Sequence, residues 1–163
     1  MPGILQTAAY ASAVLRGVQQ REGLPDDVDN AVAARLERRQ LLDDGSRQFA
    51  FVLEESVLRS GAGGDEVMRE QLLHLTTVAT RPNVSLGIIP SRPDRPRLPA
   101  EGFWIYDAAQ VNVELISGRL TVTQPREVAQ YADTFVRLAE LARHGTGARA
   151  LIRAAIDTLE PAG

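Results

Sequence analysis

The sequence predicts an α+β fold, a mostly antiparallel sheet of about five strands packed against several helices. Three observations carry that expectation. Amphipathic helical stretches occupy the first forty residues, and short apolar runs joined by tight turns crowd the region from 84 to 123. From Pro125 the helical spacing returns, and segregated runs of strands and helices favour α+β over an alternating α/β chain. At 163 residues, 44% of them hydrophobic, the chain is long enough for one domain with a real core, so a single domain over 1–163 is expected.

The elements follow in order. Ile4 to Val18 forms a first helix, with Leu5, Ala8, Ala11, Val14 and Leu15 near helical spacing. Gly23-Leu24-Pro25 breaks it, and Asp26 or Asp27 caps a second helix that runs to Leu42. Asp43-Asp44-Gly45-Ser46 ends this helix in a turn, and Phe49 to Leu53 reads as a strand. Asp65 then caps a helix to about Thr80, with Met68, Leu72, Leu75 and Ala79 inward, Gln71 beside them and His74 at the edge of the stripe. Strands follow at Val84 to Ile89, Gly102 to Asp107, Val111 to Ile116 and Arg119 to Thr123, the last two joined by Ser117-Gly118. The segment from Pro90 to Pro99 is a proline-stiffened loop, either a flap or decoration. Pro125 opens a helix to about Arg143, and a last helix ends near Leu159.

Composition removes whole classes of chemistry. All 18 basic residues are Arg and Cys is absent, so a Schiff-base amine, a thiol nucleophile and a thiolate metal site are excluded. His74 and His144 are the only imidazoles, and neither sits in a zinc-ligand spacing. No metal and no cofactor are expected. A net charge of −3 argues against nucleic-acid binding by this chain alone, since phosphate recognition needs a concentrated basic field. Gly61-Ala62-Gly63-Gly64 lacks both the spacing and the Lys of a phosphate cradle. No apolar run reaches the length of a membrane span, and the start does not resemble a signal peptide. A cytoplasmic location is therefore expected, with Met1-Pro2-Gly3 leading straight into Ile4-Leu5 as in a domain cut from a longer chain.

The informative feature is the second helix. At about 100° per residue Val28, Ala31, Val32, Leu36 and Leu42 share one face, and Arg35 and Arg39 fall in the middle of it. A guanidinium cannot shed its proton, so an inward Arg needs acceptors from the fold or from a ligand. Gln6, Glu55, Gln71 and Glu114 are the other polar groups expected on inner or half-buried positions. Three readings are open. In a structural network, Glu55 and Glu114 neutralise the arginines. In a binding site, one guanidinium meets an acceptor on a small molecule beside Tyr10, Phe103 and Trp104. In an enzyme, a desolvated Glu55 or Glu114 works as general acid or base without a cofactor, in a cyclisation or rearrangement.

Several short motifs recur in an order that resembles a known family. They are Pro2-Gly3-Ile4-Leu5-Gln6-Thr7-Ala8-Ala9-Tyr10-Ala11, Arg35-x-x-Arg38 with Leu41-Leu42, Glu55-x-x-Leu58, Met68-x-x-Gln71-Leu72, Phe103 and Val113-Glu114. This pattern is similar to the uncharacterised C-terminal domain of Xre-type helix-turn-helix transcription regulators abundant in Streptomyces and other actinobacteria. Where that family shows Arg-Gln, this chain reads Arg38-Arg39. The resemblance implies a sensing or protein-interaction domain that takes a small organic molecule or a small partner protein, with a homodimer compatible. The residues expected to line its site are Gln6, Tyr10, Arg35, Arg39, Gln71, Phe103 and Trp104. The alternative is a freestanding cofactor-independent enzyme recruited to natural-product biosynthesis.

Overall fold

The computed structural model describes residues 1–23, 25–91, 101–115 and 118–159. Most of the expected loop between Pro90 and Pro99, together with Ile116 and Ser117 of the expected hairpin, lies outside them. The described residues hold five α-helices and six short strands in two separate three-stranded sheets. The α+β class holds, but one five-stranded sheet does not form. The chain divides into two compact units, Met1–Pro90 with Ala142–Gly163, and Ser91–Leu141.

In the first unit, α1 (Ala8–Glu22) and α2 (Val28–Arg39) follow a single 3-10 turn at Gly3–Leu5. Thr7 caps α1 by accepting from the Tyr10 N–H, and Gly23 ends it with a left-handed φ of 64°, a conformation a side chain disfavours. Helix α2 passes into a 3-10 turn at Gln40–Asp43. Strand β1 (Phe49–Glu54) leads through a 3-10 turn to α3 (Asp65–Val78) and then β2 (Val84–Ile89). The two strands pair in parallel, from Phe49 against Val84 to Glu54 against Ile89. Parallel pairing needs a long crossover, and α3 supplies it. The near-continuous burial of β2 matches a strand covered on both faces.

A two-residue strand, β6 (Arg143–His144), adds antiparallel to β2 and leads into α5 (Gly145–Ile156). Gly87 is what lets it approach. A Cβ built at Gly87 would stand 2.5 Å from Cε1 of His144 and 2.9 Å from the Ala142 Cβ. Gly87→Ala is therefore expected to destabilise the chain by about 1–3 kcal/mol, the usual cost of overpacking. A chemical-denaturation midpoint equal to that of the unaltered chain would contradict this contact.

The core of this unit comprises Leu5, Leu42, Leu58, Met68, Leu72, Leu75, Ile88 and Ile152, each no more than 1% exposed. Asn83, just before β2, fastens several pieces at once. Its side-chain amide donates to the carbonyls of Leu42 at 3.2 Å, Asp44 at 3.3 Å and Arg47 at 3.2 Å. Its backbone carbonyl accepts from the Phe49 N–H at 2.9 Å. One buried residue thus closes the turn after α2 with its side chain and starts β1 with its backbone.

The second unit is an antiparallel meander, β3 (Phe103–Tyr106), β4 (Gln110–Leu115) and β5 (Gly118–Val122), followed by α4 (Pro125–Leu141). Val111, Val113, Val122 and Val128 form its core, with Phe103, Ile105 and Tyr131 packed against them. Asp107 and Ala108 turn between β3 and β4 with positive φ of 48° and 55°. The Tyr131 ring meets Phe103 edge-on at 5.0 Å, and its hydroxyl donates to Glu101 Oε1 at 2.6 Å. That bond, with a smaller contribution from burial, pushes the phenol up to about 12. Ultraviolet titration of Glu101→Gln is expected to bring this ionisation back toward the ordinary tyrosine range, and an unchanged midpoint would contradict the bond.

Candidate functional site

Helix α2 presents the face its spacing predicts. Val28 is buried, and Ala31, Val32, Arg35, Leu36 and Arg39 are half-buried in a continuous stripe that ends at buried Leu42. The cations do face the fold. What answers them differs from expectation.

Arg35 Nη1 donates to Gln6 Oε1 at 2.6 Å. Arg39 Nη1 reaches only the Gln6 backbone carbonyl, at 3.5 Å, which is at the outer limit of a hydrogen bond. The Gln6 Nε2 donates to the Met1 carbonyl at 2.9 Å. From the opposite side, fully buried Gln71 bridges the same segment. Its Oε1 accepts from the Thr7 N–H at 2.8 Å and its Nε2 donates to the Leu5 carbonyl at 2.7 Å. Leu5-Gln6-Thr7 joins the 3-10 turn to α1, and the Gln71 amide mimics a peptide group there, partnering the Leu5 carbonyl and the Thr7 N–H that burial would otherwise orphan.

Neither expected carboxylate joins this network. Glu114 is exposed on β4, opposite Arg119 in register, on the face of the strand that alternation sets away from buried Val111 and Val113. Glu55 opens the 3-10 turn after β1 and pairs with Arg59 at 3.2 Å. Among the described residues no Asp or Glu lies within ion-pair distance of Arg35 or Arg39. The expectation that Glu55 and Glu114 neutralise the arginines is thus corrected. Neutral oxygens of the N-terminal segment hold Arg35, and Arg39 keeps most of its donors.

Of the other expected site residues, Tyr10 is 5% exposed, and burial raises its phenol above the ordinary value. Its N–H is fixed by the Thr7 hydroxyl at 3.3 Å. Gln6, Tyr10, Arg35, Arg39 and Gln71 all belong to the first unit, whereas Phe103 and Trp104 belong to β3 of the second. Phe103 is committed to the core of that unit through Tyr131.

His74 stands at the edge of the α3 stripe, where its spacing puts it. It sits one turn beyond Gln71 on α3, half-buried, and its Nε2 is shielded from solvent with no hydrogen-bond partner. Burial lowers its pKa first, and the nearby charges of Arg39 and Arg81 lower it further against a small opposing effect of Glu70. Arg81 is itself paired with Asp43.

Among the described residues no group of His, Asp and Glu has the arrangement to hold a metal ion, and no helix is long and apolar enough to cross a membrane. Comparisons with curated proteins and with solved structures each return no match. A family model described as a domain of unknown function, DUF5753, matches residues 1–154, and the chain belongs to that family.

Proposed function

We propose that the chain is a regulatory binding domain, of the kind that accompanies Xre-type helix-turn-helix regulators, and that α2 supplies the cations with which it reads a small organic molecule or a small partner protein. One observation carries this reading. Arg39 is a half-buried guanidinium whose one hydrogen bond among the described residues is a long one to a neutral carbonyl. A cation left so weakly compensated by its own fold favours an outside acceptor. The acid–base alternative through Glu55 or Glu114 draws less support, because Glu114 is exposed and half-buried Glu55 is paired with Arg59, which favours its charged form.

The test is promoter occupancy in the native host. The full gene product, tagged, is expected to be enriched at discrete promoters, with the enrichment changed by Arg39→Gln at equal protein level. Absence of enrichment, or enrichment indifferent to the substitution, would contradict the regulatory reading.

A further inference from the structure

Arg35 and Arg39 converge on a single residue. Arg35 Nη1 donates to the Gln6 side-chain oxygen at 2.6 Å, and Arg39 Nη1 reaches the Gln6 backbone oxygen at 3.5 Å. The two arginines stand at i and i+4 on α2, a spacing that sets Cβ atoms about 5–6 Å apart on one face. A shared anchor and one helical turn therefore put the guanidiniums side by side. Arg35 also lies along the 3-10 turn, where a Cβ built at Gly3 would stand 3.8 Å from its Nε.

Each guanidinium carries five N–H donors, and each spends one of them among the described residues. No described carboxylate stands within ion-pair distance of either. The fold thus answers two cations with two neutral oxygens. Like charges at i, i+4 repel, and partial burial strengthens the repulsion by lowering the local dielectric. The free donors are within reach of a ligand. Both side chains are half-buried, and the one described side-chain polar atom that is both unpartnered and sealed from solvent is His74 Nε2, not a guanidinium nitrogen.

We propose that Arg35 and Arg39 together form a receptor for the phosphate monoester of a small organic molecule. The assignment rests on the binding role given to α2 above and names the chemistry it reads. Charge selects the class: a monoester, with a second pKa of about 6, is a dianion at neutral pH and matches two uncompensated cations, whereas a single carboxylate matches one. Shape narrows it further. A phosphoryl group gathers its acceptor oxygens on one atom, within span of two guanidiniums one turn apart, while a dicarboxylate carries its charges at the two ends of a carbon chain. Planar guanidinium forks grip such oxygens in pairs. Gln6 is the positioning residue, holding one Nη1 of each guanidinium and leaving the other nitrogens for the ligand.

The experiment follows the arginine Nε–H signals by nuclear magnetic resonance on the whole chain near neutral pH, during titration with glycerol phosphate or succinate at equal ionic strength. Glycerol phosphate is expected to move Arg35 and Arg39 saturably while Arg38, exposed on the same helix, stays in place. Succinate is expected to bind at least about tenfold more weakly, since it cannot bring both charges to one point. Arg35→Gln and Arg39→Gln are each expected to weaken glycerol phosphate by about 10–100-fold, the equivalent of one charge-assisted hydrogen bond, and Arg38→Gln to leave it unchanged. Should Arg35→Gln unfold, Arg35→Lys serves, keeping the charge but losing the fork, with a smaller loss of affinity. The assignment is overturned if Arg38 moves together with Arg35 and Arg39, if succinate binds as tightly as glycerol phosphate, or if Arg39→Gln binds as the unaltered chain does. A phosphoserine peptide that binds more tightly than glycerol phosphate would overturn the small molecule as the carrier of the phosphate. Absence of glycerol phosphate binding while promoter occupancy still depends on Arg39 would remove the phosphate receptor alone; indifferent occupancy with intact binding would remove the regulatory role alone.

Discussion

Replacing Gln71 with Leu is expected to cost about 3–5 kcal/mol, because two buried backbone groups lose their partners at once and each orphan costs about 1–3 kcal/mol. Gln71 is wholly buried, and its amide is the partner of both the Leu5 carbonyl and the Thr7 N–H. Leu fills a similar volume, so the loss reports the bonds rather than a cavity. Gln71→Glu gives a sharper form of the same prediction. Protonated, the new carboxyl still donates to Leu5 and accepts from Thr7. Ionised, it turns a second oxygen against the Leu5 carbonyl in a buried site. Its pKa in the fold is raised, so its stability is close to that of the unaltered chain below about pH 4 and falls by about 1.4 kcal/mol per pH unit above the unfolded value, until the folded pKa is passed. Urea unfolding across pH 4 to 7 measures this slope, and a variant equally stable throughout would show that the amide does not bridge the segment.

The second large effect is expected at Asn83. Asn83→Asp replaces a donor to three carbonyls with a carboxylate facing those same oxygens, in a residue 7% exposed. The expected loss is about 3 kcal/mol, built from unpaired acceptors and added repulsion. For a chain of this size, that lowers the melting temperature by about 6–12 °C. Asn83→Ala removes the donor without adding charge and is expected to fall between. If the Asp variant melted with the unaltered chain, the turn at Leu42–Arg47 would have to be held by something else, such as the bonds that the Asp44 carboxylate accepts from Ser46 and Arg47.

The outline of the fold was legible because most of it is periodic. The inner face of α2, the apolar stripe of α3 through Met68, Leu72 and Leu75, and the alternation of β4 through Val111 and Val113 all stand where spacing put them. The sheet was misjudged for a definite reason. Tight turns between the late strands justified antiparallel pairing there, but the order β1, α3, β2 is a crossover unit, and its strands had to pair in parallel. Strand β6, two residues long, carries no periodicity to read.

The candidate site was legible by half. That Arg35 and Arg39 turn toward the fold follows from angle alone. Their partners do not, since Gln6 lies 29 residues from Arg35 and Gln71 lies 64 from Thr7, and no local rule ranks an amide above a carboxylate as the group that arrives. Charge balance pointed to Glu55 and Glu114. Backbone need prevailed instead, because a buried segment without a ladder must find side-chain amides to pair with. Asn83 escaped notice for the same reason. Its three acceptors converge only once the turn after α2 has closed.

The central claim is that a neutral amide, not a carboxylate, holds the inward cation of α2. A double-mutant cycle between Gln6→Leu and Arg35→Met measures it most directly. A coupling of about 1.5–3 kcal/mol is expected, the range for a hydrogen bond to a charged group. Additive losses, with the coupling appearing instead between Arg35→Met and Glu55→Gln, would contradict it.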